Sequence, residues 1–190
     1  MPIDRRRIEA AVAEILAAVG EDPDRPGLRA TPRRVADACA ELFAGLDADP
    51  AESLRDGLEL AEGERGELVL LRDLAFRSVC EHHLLPFIGT AHVAYAPAER
   101  IVGLGRIPRV LDTLAARPQL QERLGEQLAD TLAEGLGAAG VLVVLEAVHG
   151  CLSARGARQA ANSTVTVAGR GSLADAERQS AVLALIGRAR

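Results

Sequence analysis

The stretch Leu120-Gln-Glu-Arg-Leu-Gly-Glu-Gln-Leu-Ala-Asp-Thr-Leu-Ala-Glu-Gly-Leu136 places a leucine at every fourth position. Residues four apart stay on one side of an α-helix, so this segment is a long helix with a single buried stripe. Gly140 stops the pattern. Val141-Leu-Val-Val-Leu145 follows, a β-branched run of strand length suited to burial. Working outward, Leu68–Leu71 and Ala91–Ala96 read as strands, and Pro108 opens a helix carrying Val110, Leu111 and Leu114. Thr164–Val167 reads as a further strand and Ala174–Ile186 as a closing helix. Toward the N-terminus, Ile8, Val12, Ile15 and Val19 recur at helical spacing and Gly20 ends that helix. Glu21 to Ala30 is a loop rich in Asp, Pro and Gly. Thr31 is the expected N-cap of a second helix, with Pro32 at its first position and Val35, Cys39 and Leu42 on its apolar face. Residues 45–66 are acidic and turn-rich, as a linker would be. Helices come first, then strands and helices intermixed, which is the order of an α+β protein. The division expected is an N-terminal helical segment and linker over 1–66 and a sheet-bearing domain over 67–190.

Composition narrows the function. At 190 residues the chain is long enough for one domain with a helical appendage. A formal charge of -5 leaves no basic footprint for nucleic acid. Arg5, Arg6 and Arg7 precede an apolar stretch as in an export signal, but Glu9 and Glu14 interrupt it and no small-residue cleavage site follows. No apolar run approaches the ~18 residues that cross a membrane. The expectation is a cytoplasmic chain whose three cysteines are thiols or metal ligands. The chain contains no lysine, and all 22 basic residues are arginine.

Two short segments hold three of the four histidines and two of the three cysteines. The first is Cys80-Glu81-His82-His83 and the second is His149-Gly150-Cys151. Thiolate and imidazole are the side chains zinc prefers. His149 and Cys151 are two apart, which puts them on one face of an extended strand. Cys80 and His83 are three apart, so one turn brings both to a metal. Three protein ligands make a catalytic zinc site with an open position, whose bound water ionises near pH 7; four make a closed structural site. Spacing leaves that choice open. Cys39, on a helical face with Val35 and Leu42, reads as core, and His92 in an alternating strand reads as structural.

The residues around these segments resemble the GTP cyclohydrolase I family. Cys80-Glu-His-His-Leu-Leu-Pro-Phe-Ile-Gly-Thr-Ala-His-Val-Ala-Tyr95 is similar to the signature of that family. So are Gln119-Leu-Gln-Glu-Arg-Leu-Gly-Glu-Gln127, Glu146-Ala-Val-His-Gly-Cys-Leu-Ser-Ala-Arg-Gly156 and the loop Gly20 to Pro32. The resemblance implies a tunnelling fold, a small antiparallel sheet with two helices on one face, as the catalytic domain of a toroidal homodecamer with sites between subunits. It implies zinc bound by Cys80, His83 and Cys151, with His82 and His149 handling protons. It implies that Glu122, with Gln121, holds the guanine edge of GTP, and that Arg155 and Arg109 contact the triphosphate, helped by Arg34 and Arg106. The implied reaction opens the imidazole ring at C8, releases formate and forms 7,8-dihydroneopterin triphosphate.

The phosphate end departs from the pattern of the family. Gly105-Arg106 stands where Ser-Lys is common, Asp37 where a base is frequent, and Gln159 and Ser163 where lysines are usual. Arginine bias accounts for Arg106, not for Asp37, Gln159 or Ser163. Arg158 is the residue expected to replace part of the missing charge. Two further readings stand beside the leading one: a ring-opening enzyme for another purine nucleotide, and a catalytically silent paralogue that regulates a partner.

Overall fold

The leucine stripe forms helix α4, Gln121–Leu136, with Leu124, Leu128, Leu132 and Leu136 all fully buried. The structure, a computed structural model, describes residues 3–61, 66–98, 100–159 and 161–187. Gly137 ends α4 in the left-handed conformation at φ +57°, where a side chain would be strained. Gly140, expected to stop the helix, instead begins strand β6, Gly140–His149.

In chain order the elements are α1 (Arg5–Ala18), α2 (Thr31–Leu42), β1 (Leu58–Glu59), β2 (Val69–Cys80), β3 (Pro86–Ala96), β4 (Arg100–Ile101) and α3 (Arg106–Ala115). Then come β5 (Pro118–Gln119), α4, β6, α5 (Gly150–Ser153), β7 (Thr164–Gly171) and α6 (Ala176–Gly187). The main sheet runs β5-β2-β3-β6-β7. Every pairing from β2 to β7 is antiparallel, and only the two-residue β5 lies parallel to β2. The fold class is therefore α+β, with α3 and α4 on one face of an antiparallel sheet, as the resemblance implies.

Alternation along the strands sets the two faces. Phe87, Ala91, Val93 and Tyr95 of β3 and Val141, Val143, Leu145 and Ala147 of β6 join the leucines of α3 and α4 in the main core. On the opposite face Ala94, Leu142 and Val144 are covered by Leu173 and by Val182 of α6. Farther along that face Ile88 (61% exposed), Val148 and Val165 (57% exposed) are left uncovered by the described residues.

Several boundaries differ from the sequence expectation for physical reasons. The N-cap of α2 is Ala30 rather than Thr31, so Pro32 falls one position deeper in the first turn, where N–H groups have no helical partner. For the same reason α3 starts two residues before Pro108. Cys39 and Val35 are only half-buried, because α2 buries Ala36 alone. Composition marks 45–66 as a linker, yet Pro50–Leu54 forms a 3-10 turn that drives Leu54 into the main core, and β1 pairs with β4. Positions 62–65 of that segment lie outside the described residues.

Candidate functional site

Strand β2 ends at Cys80, and the chain reverses in a tight loop. The Cys80 N–H donates to Leu85 O at 2.9 Å and the Leu84 N–H to Cys80 O at 2.8 Å, with Leu84 in the left-handed region at φ +52°. This brings Cys80 Sγ to 3.8 Å from His83 Nδ1.

The third member comes from beyond β6. His149 is the last residue of that strand, and Cys151 sits in α5, so the two do not share a strand face as the spacing suggests. Gly150 between them makes the turn possible, because a Cβ there would lie 2.8 Å from Pro86 O. Cys151 thereby reaches the first two, and all three ligand atoms lie within 4.8 Å of one another. A tetrahedral zinc with bonds of about 2.0–2.3 Å needs ligand atoms roughly 3.5–4 Å apart. The group therefore needs only a small contraction, and its two thiols and imidazole are the donors that ion prefers. Among the described residues no fourth Cys, His, Asp or Glu joins the group, which favours an open coordination position over a closed site. Burial first, then the neighbouring Cys80 thiol, push the Cys151 thiol up, with Arg155 opposing them.

His149 stands beside this group under tight control. Its ring stacks on Phe87 at 4.8 Å between centroids and 3° between planes. Its Nε2 is 2.7 Å from Gln121 Oε1. Gln121 Nε2 already donates to Leu145 O at 3.1 Å and Thr164 O at 2.9 Å, so Oε1 is the acceptor and His149 Nε2 carries the hydrogen. Nδ1 is the ring nitrogen that this bond leaves unused. Burial holds His149 below the ordinary imidazole pKa, and the Glu122 carboxylate opposes the shift.

Gln121 is 1% exposed, with its amide nitrogen and oxygen both engaged inside the protein and the oxygen bonded to His149. Glu122 is exposed on the first turn of α4, free to meet a ligand. His82 is exposed, its ring edge-on to His83 at 6.2 Å, and its Nε2 is 3.9 Å from Glu81 Oε1. Arg155 lies near enough to Cys151 to act on its thiol.

Arg106, Arg109 and Arg34 lie on other elements, whereas the Arg158 N–H donates to Arg155 O at 3.3 Å. Arg106 and Arg109 stand on the first turn of α3, whose last turn is the one that meets Ser78 of β2. Ten residues at about 1.5 Å each separate the two ends. There they border a cavity with Asp49, Asp56 and Asp112, and Arg106 pairs with Asp56 at 3.0 Å. Arg34 is exposed on the first turn of α2. Arg158 is exposed in a turn at φ +51°. Two departures acquire local partners: Asp37 accepts from Arg5 at 3.2 Å, tying α2 to α1, and Ser163 Oγ donates to Glu146 at 3.0 Å. Sequence reasoning missed Phe87 and the bidentate pair of Glu81 with Arg123. Nothing local in the sequence signals either.

Comparison with known proteins bears on this geometry. Residues 8–187 match the GTP cyclohydrolase I family. The chain is 66% identical over 184 residues to GTP cyclohydrolase 1 of Leifsonia xyli, covering 97% of this chain and 96% of that one. It is 48% identical over 186 residues to GTP cyclohydrolase 1 of Acetivibrio thermocellus, covering 97% and 98%. To the protein of the same name in Rhodopirellula baltica it is 48% identical over 188 residues, covering 98% and 81%.

Proposed function

Because the chain belongs to the GTP cyclohydrolase I family and is a GTP cyclohydrolase, we propose that Cys80, His83 and Cys151 hold its zinc and that His149, His82 and Glu122 address the purine. The observation that carries this reading is the convergence of three soft ligands within 4.8 Å beside an imidazole whose ring plane and tautomer are fixed. Zinc, when bound, supplies Lewis acidity and activates water for attack at C8 of guanine.

The residues of the chain do the rest. Glu122 accepts hydrogen bonds from N1–H and the 2-amino group of guanine, neither of which adenine has. His149 presents Nδ1 to the base and, protonated, donates to N7, which makes C8 more electrophilic. The stack on Phe87 and the bond to Gln121 keep that nitrogen aimed. His82, exposed at the mouth, transfers protons as ring opening proceeds to formate and 7,8-dihydroneopterin triphosphate. Arg155 meets the phosphate nearest the site, with Arg158 extending the charge outward.

Arg106 and Arg109, at the far end of α3, serve a site built with another copy of the chain, with Arg34 nearby in the assembly. The uncovered apolar patch at Ile88, Val148 and Val165 supports packing of copies against the sheet, as in the expected decameric ring.

The test combines formate release and pterin fluorescence from GTP with elemental analysis and native mass spectrometry. One zinc per chain, turnover, and loss of both in Cys151→Ala are expected. Full zinc occupancy in Cys151→Ala overturns the ligand assignment, and a fully active monomer overturns the shared site.

A further inference from the structure

Glu81 has no role in the chemistry described so far, although it lies between a metal ligand and His82. Both of its carboxylate oxygens are taken by Arg123, Oε1 by Nη2 at 3.0 Å and Oε2 by Nη1. A planar fork on a carboxylate fixes orientation as well as distance. Arg123 belongs to the first turn of α4, directly after Gln121 and Glu122 and directly before the fully buried Leu124. The burial of Leu124 fixes this turn on the sheet, so Arg123 is mounted on a rigid element.

The loop is also tied twice to β5, the short strand that leads into α4. Cys80 pairs with Gln119 in the parallel ladder of β2 and β5. The Glu81 N–H donates to Gln119 O at 3.0 Å. The backbone ties stop at Glu81, where the chain turns away toward His82 and His83. Among the described residues, the ion pair then carries the connection on from the loop bearing two ligands to the helix bearing the groups for the base. Both side chains are part-exposed, 28% for Glu81 and 44% for Arg123, so the pair adds little to global stability. Its placement gives it a different use.

We propose that Glu81 and Arg123 are positioning residues that hold the metal loop against the first turn of α4 and so set the spacing between the metal and the groups that address the base. This rests on the proposed zinc and guanine assignments. Misplacement of about 1 Å between reacting groups costs on the order of a hundredfold in rate. Loss of the pair therefore acts on kcat.

The experiment measures kcat and KM for GTP, zinc per chain and the thermal midpoint in Glu81→Gln, Arg123→Leu, the double variant and Arg123→Lys. Each of the first two is expected to keep its zinc, shift the midpoint little and lose kcat by roughly ten- to a hundredfold, with a smaller change in KM. The double variant should be no worse than the worse single, because both remove one contact. Arg123→Lys keeps the charge without the fork and should fall in between. A single variant within twofold of the parental kcat overturns the proposal, as do losses that multiply in the double variant. If the Glu81→Gln and Arg123→Leu proteins do not fold, Arg123→Lys decides alone, a partial kcat loss supporting the pair and a parental kcat overturning it. Failure of the underlying assignments looks different, since the parent protein would then hold no zinc or turn over without it.

Discussion

Gly150→Ala adds one methyl group where α5 meets the start of β3. The added Cβ would lie 2.8 Å from Pro86 O, whereas ordinary contact begins near 3.4 Å, so α5 or the start of β3 must yield by about 0.6 Å. The clashing atom is backbone and cannot rotate away. One side of the clash carries Cys151 and the other carries Phe87, on which His149 stacks. Zinc sites tolerate roughly 0.2 Å in ligand distance, so the displacement exceeds what the metal absorbs. Overpacking of this size costs about 1–3 kcal/mol. Expressed in zinc affinity, that is a loss of roughly ten- to a hundredfold, and kcat should fall by a similar factor. Competition with a chromophoric chelator measures the zinc dissociation constant, and formate release measures turnover. Gly187→Ala, where a Cβ meets nothing within 4 Å, is the control and should behave as the parent. If Gly150→Ala binds zinc within twofold of the parent and turns over GTP equally fast, the close approach does not shape the site and the reasoning fails.

Three further outcomes are expected. Leu132→Ala, at a fully buried position of α4, should destabilise the chain by about 3 kcal/mol in urea unfolding while leaving zinc content alone. Gln121→Leu removes the acceptor of His149 and the amide that bridges β6 and β7; it should cost about 1–3 kcal/mol and lower kcat with zinc retained, and unchanged kcat would return His149 to free rotation. Glu122→Ala should lose tenfold or more in kcat/KM for GTP while keeping zinc, and parental turnover would make Glu122 a solvated helix carboxylate.

The parts of the fold that rest on periodicity were legible. Leu124 to Leu136 announce α4 because four-residue spacing has one helical solution, and Val141 to Leu145 announce a strand because nothing polar interrupts them. Ends were harder. Gly137 and Gly140 are both glycines, and only the backbone angle shows which one terminates α4. The convergence of Cys80, His83 and Cys151 was legible from residue type, since Cys and His concentrate in two segments. The path of Cys151 was not, because a spacing of two fits a strand equally well until the approach of Gly150 to Pro86 is seen. The role of Gln121 was hidden because its partners, Leu145, His149 and Thr164, lie 24 to 43 residues away. The arginines of α3 illustrate the same limit, since sequence supplies their charge without saying which site they face.

In the ladder between β3 and β6, Phe87 is opposite His149 and the next rung joins Ile88 to Val148. The first rung faces the helices and the site, and the second faces outward on the bare patch. Chemistry and stickiness are therefore interleaved at a period of one residue. A slip of β6 by a single position would deliver Val148 to the site and expose His149 among Ile88 and Val165. Inheritance of the two surfaces is linked, because an insertion or deletion near this end of either strand exchanges them. Point substitutions can tune either surface separately, whereas length changes here must spare both or lose both.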